Sequence, residues 1–68
     1  MNKALLEYEM KRAGKTAAEM CELLGISKSA WYRKVNELSQ FTRAEIEKIV
    51  EILNLDSPVD IFFAKKVS

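Results

Sequence analysis

Residues 16–37 read TAAEMCELLGISKSAWYRKVNE, and the fold turns on how this run is divided. Thr16 is a residue type that caps helices, and Glu19 stands three places later, the spacing of a reciprocal capping box. Ala17, Met20, Cys21 and Leu24 then follow at the i, i+3, i+4, i+7 spacing of one buried helical face. Gly25 can take the left-handed conformation that ends a helix, so this helix covers residues 16 to 24. Ser27, two positions on, is a fresh cap. It opens a third helix expected over residues 28 to 38.

That third helix contains the only Trp of the chain inside its most basic segment. At about 100° per residue, a helix sorts the two features onto opposite sides. Trp31, Val35 and Leu38 fall on an inward stripe, with Ala30 and Lys34 on the boundary. Lys28, Ser29, Tyr32, Arg33 and Asn36 fall on an outward strip with no acid among them. Residues 26–36 hold Lys28, Arg33 and Lys34 and no carboxylate, whereas the whole chain has a net charge of only +1. A solvated helix face is the bland account of such a strip. An exposed Tyr beside Arg and Asn, with nothing apolar around it, instead has the character of a contact residue.

Outward from this core, residues 2–13 form a first helix, with Leu5, Tyr8 and the Arg12 stem on one side and Leu6, Met10 and Ala13 on another. Such a broad stripe suits a helix packed on two neighbours. Gly14 stops it. Thr42 with Glu45 repeats the capping box and opens a fourth helix whose stripe is Ile46, Ile49, Val50 and Leu53. Ser57 and Pro58 supply a cap and an N1 proline for a short fifth helix, in which Ile61, Phe62 and Phe63 close the core. The reading is all-α: five helices, no strand, one domain over residues 1–68.

Composition narrows the function. With 68 residues there is room for one small core. A single Cys21 permits no internal disulfide and no metal spacing, and His is absent. No carboxylate pair sits in an evident pocket, so an enzyme is not expected. No apolar run spans a membrane, and MNKALLEYEMKR lacks a signal peptide's continuous apolar centre. A reducing compartment such as the cytoplasm is expected.

The run from Thr16 to Glu37 resembles the helix-turn-helix of the phage Cro and lambda-repressor-like (XRE-type) DNA-binding family. In that pattern Cys21 is the small residue where the two helices cross, Gly25 the turn glycine, Ile26 the apolar plug and Ser27 the cap of the recognition helix. FTRAEIEKIVEILNL (41–55) is similar to the family's fourth helix, and SPVDIFF (57–63) to the closing helix of small Gram-positive phage regulators. Two positions depart from it: Ala17 stands where family members often carry a bracing Gln, and Trp31 where a Val or Ile is usual.

The resemblance implies a compact lambda-repressor-like domain whose third helix enters the major groove of double-stranded DNA. Lys28, Ser29, Tyr32 and Arg33 are then the base-reading candidates, with Arg33 matched to guanine O6 and N7. Thr16, Ser27, Lys34, Asn36 and Arg43 are the phosphate candidates. The implied protein is a phage or prophage Cro-like repressor acting as a homodimer on an operator, with Ile61, Phe62, Phe63 and Val67 as a candidate dimer surface. No cofactor, metal or small-molecule substrate is implied. The alternative is a small protein-interaction module, an antirepressor or antitoxin, using the same basic face.

Overall fold

The computed structural model describes residues 1–63. Among these residues the elements are α1 (Lys3–Arg12), α2 (Ala17–Leu24), α3 (Lys28–Val35), α4 (Arg43–Leu53) and α5 (Pro58–Phe62), with no strand. The first four starts follow from their caps. The Asn2 side chain accepts from Leu5 N–H, Ser27 from Ala30 N–H, and Thr16 and Thr42 each form the full reciprocal box with Glu19 and Glu45. Ser57 precedes α5 but makes no side-chain cap bond, so Pro58 at N1 marks that start instead.

The ends of α2 and α4 are set by left-handed residues. Gly25 has φ +70°, and the Ile26 N–H reaches back to the Cys21 carbonyl, which closes α2 and turns the chain sharply toward α3. Asn54 does the same for α4 with φ +51°. Its last carbonyl, on Leu53, accepts from the Arg12 guanidinium at 3.0 Å, a cation placed where the helix dipole favours one.

The core is one cluster. Leu6 and Met10 of α1, Met20, Cys21 and Leu24 of α2, Trp31 and Val35 of α3, Ile49 and Leu53 of α4, and Leu55 and Ile61 are buried together. α2 packs on both α3 and α4, and α1 packs on α5. The Asn2 N–H to Ile61 carbonyl bond, 2.7 Å long, ties the first helix to the last.

Four apolar assignments change. Tyr8 is exposed on α1, because that helix buries only its Leu6–Met10 side. Ala17 is exposed at the first position of α2, before the helix has entered the core. Leu38 is 70% exposed and lies outside α3, which ends at Val35 rather than Leu38. The reason is another left-handed closure: Glu37 has φ +61°, its N–H bonds the Lys34 carbonyl, and the Leu38 N–H bonds the Arg33 carbonyl. Of the three residues expected to close the core, Ile61 is fully buried, Phe62 is half-buried and Phe63 is exposed beyond the end of α5; of the candidate dimer surface, Ile61 is therefore withdrawn into the core, and Val67 lies outside the described residues.

Candidate nucleic-acid interface

The turn between α2 and α3 is held from inside. Cys21 is buried where the helices cross, and its thiol faces the Ser27 carbonyl at 3.8 Å. A larger side chain there would separate the helices. Ile26 is half-buried against the core and fills the angle between them. Trp31 fixes the inner side of α3: it is 7% exposed and meets Phe41 edge-on, with ring centroids 5.6 Å apart. Phe41 in turn meets Phe62 edge-on at 5.9 Å. The indole therefore has an aromatic seat extending to α5, and that seat gives a bulky residue the room that a Val or Ile would not need.

With Trp31 and Val35 turned in, the opposite side of α3 faces solvent. Lys28, Ser29, Tyr32 and Arg33 are all exposed, Tyr32 by 63%. None of these four side chains makes a hydrogen bond or ion pair among the described residues. Two cations, a hydroxyl and a phenol thus stand along two helical turns with their donors available. Ser27, also exposed, uses its oxygen to accept from Ala30 N–H and keeps its hydroxyl hydrogen.

The phosphate candidates divide. Lys34 does not join the strip. Its ammonium bonds Glu45 Oε1 at 2.6 Å, both side chains are 14% exposed, and the charge lies 5.8 Å from the centre of the Phe41 ring. The boundary position that periodicity assigned to it resolves inward because α4 offers a carboxylate there. Burial pushes the Glu45 carboxyl up, but the Lys34 ammonium and the Thr42 backbone and hydroxyl together outweigh that and hold it below its ordinary range.

Asn36 is half-buried and also occupied. Its Nδ2 donates to the Tyr32 carbonyl at 2.8 Å, and its Oδ1 accepts from Lys3 Nζ at 3.1 Å. The Thr16 N–H and hydroxyl both donate to Glu19 Oε1, at 3.0 and 3.1 Å, which lowers the Glu19 pKa and keeps that carboxylate charged. The amides still lacking an intrahelical partner at the start of α2 are those of Ala17 and Ala18. Arg43 is almost fully exposed, with a loose pair to Glu47 at 3.4 Å that binds it weakly.

A family profile for the Cro/C1-type HTH DNA-binding domain matches residues 6–65. The chain belongs to the Cro/C1-type HTH DNA-binding family. Comparison with curated proteins and with solved structures gives no significant match. The match takes in α2 to α5 whole and most of α1, so the family assignment rests on the entire five-helix unit rather than on the turn alone. No described helix of this Cro/C1-type domain is long and apolar enough to cross a membrane.

Two residues that shape the interface escaped the sequence reading. Phe41 stands immediately before the Thr42 cap, with Ile46 at the fourth helical position, the spacing of a hydrophobic staple, and that was the available signal. Lys3 had none, since it meets Asn36 across a separation of 33 residues.

Proposed function

We propose that this Cro/C1-type domain is a transcriptional repressor of phage or prophage type that reads operator half-sites through α3. The observation that carries the reading is the unpaired strip of Lys28, Ser29, Tyr32 and Arg33, set on a helix whose other side is locked by Trp31. In this reading the N-terminal turns of α3 lie against base edges. Arg33 forks onto guanine, Lys28 reaches an acceptor or a phosphate, and Ser29 and Tyr32 contact bases through oxygen or ring carbon. Phosphates are gripped by Ser27, by Arg43 swinging away from Glu47, and at Thr16 through the neighbouring Ala17 and Ala18 amides. Asn36 closes the far end of the strip. Lys34 drops out of the contact set, because moving it would strip Glu45 of its partner.

Two copies on a pseudo-palindrome, half-sites about one helical turn apart, would raise specificity above what one short helix supplies. The exposed Val59 and Phe63 support a dimer face at α5. A cytoplasmic site of action goes with this reading.

The test is binding to a random-sequence duplex and to the upstream DNA of the source genome across a salt series, followed by footprinting. Affinity falling steeply with salt, with a protected two-fold site upstream, is the expected result. Absence of salt-dependent binding to either duplex would favour the protein-interaction alternative and sink this one.

A further inference from the structure

Lys34 was one of three cations that the sequence placed on α3, and Glu45 takes it away. The fold brings another in its place. Lys3, at the start of α1, extends its ammonium to Asn36 Oδ1 at 3.1 Å. The direction of that amide follows from its other bond: the Tyr32 carbonyl can only accept, so it must meet Nδ2, which leaves Oδ1 for the lysine. Asn36 is one turn beyond Tyr32 on the same side of the helix, so the Lys3 charge stands at the far end of the strip begun by Lys28. Asn36 is also the C-cap of α3, and the helix dipole favours a cation at that end. One of its three N–H donors is spent on Asn36 and two remain. Glu7, a turn further along α1, lines the same crevice but forms no ion pair with Lys3.

We propose that Lys3 is a DNA phosphate contact, held at the end of the recognition strip by Asn36. The proposal rests on the DNA-binding reading above and adds to it a residue on a different helix. Phosphates flank a helix lying in the major groove at both of its ends. Lys28 serves one end, and the Asn36-held ammonium serves the other.

Binding to a random-sequence duplex across a salt series tests this with the full chain. Lys3→Gln should make the plot of log K against log salt shallower by about 0.9, one phosphate contact. Lys3→Arg should keep the original slope, and Lys34→Gln should keep it while lowering the melting temperature. A second measurement needs no variant: amine acylation of the unaltered protein, with and without duplex, should find Lys3 protected by DNA and Lys48, on the exposed side of α4, unprotected. An unchanged slope in Lys3→Gln, or equal acylation of Lys3 with and without duplex, overturns the proposal while leaving DNA binding standing. An unaltered chain that binds no duplex overturns both.

Discussion

Arg33 and Lys34 are neighbours in the chain and carry the same charge, yet the fold treats them oppositely. Arg33 faces open solvent with its fork unpaired among the described residues. Lys34 is sealed between Phe41 and α4, its charge spent on Glu45. The same division runs along the whole of α3: one side is chemistry offered outward, the other is packing. Counting charges in a sequence therefore overstates what a partner can reach. A boundary residue is claimed by whichever neighbour, solvent or carboxylate, the tertiary fold supplies.

The most severe way to break this contrast is to remove the inner side. Trp31→Ala should cost about 3–5 kcal/mol, on the scale of the total stability of a domain this small. Thermal melting followed by circular dichroism checks it. A near-normal melt would mean that the outer strip does not depend on the indole for its orientation.

Exchanging the two basic neighbours sharpens it. Lys34→Ala should destabilise by about 1–2 kcal/mol, between the values for exposed and buried pairs, because it leaves Glu45 without its cation. Arg33→Ala should leave the melt close to normal and instead lose about 1–3 kcal/mol of discrimination at one base pair. Melting and binding measured on both variants give a crossed pattern. A parallel pattern, with both variants losing the same property, would erase the distinction between the sides.

The smallest expected effect is on pH dependence. The folded Glu45 carboxyl sits below its ordinary value of 4.5. Between the two values the unfolded chain binds a proton that the folded chain does not, so stability rises with pH across that window. The contribution is complete above 4.5 and is lost as the pH falls through the lowered value. Melting temperature followed down into the glutamate range should fall less steeply for Glu45→Gln than for the unaltered protein. Superimposed acid limbs would mean that the Lys34–Glu45 pair contributes nothing on the inner side.

What was legible beforehand follows from range. Thr16, Ser27, Thr42, Gly14 and Gly25 announced their roles because a cap or a left-handed turn depends on residues three or four places away. The sorting of Trp31 from Tyr32 was equally local. The end of α3 was not, because Glu37 adopts a left-handed backbone with no glycine to signal it, and apolar Leu38 seemed to continue the stripe. Tyr8 misled in the same way, as an apolar ring at a helical spacing with no neighbour to cover it. The two capping boxes make the limit plain. Thr16–Glu19 and Thr42–Glu45 share one spacing in the sequence, yet among the described residues only the second carboxylate also anchors α3.

Cys21 gives the hinge between α2 and α3 its own stopwatch. Its sulfur is sealed in the angle that those helices make, so an electrophile in solution can reach it only while that angle is sprung. The pace at which the thiol is consumed thus counts how often the motif gapes.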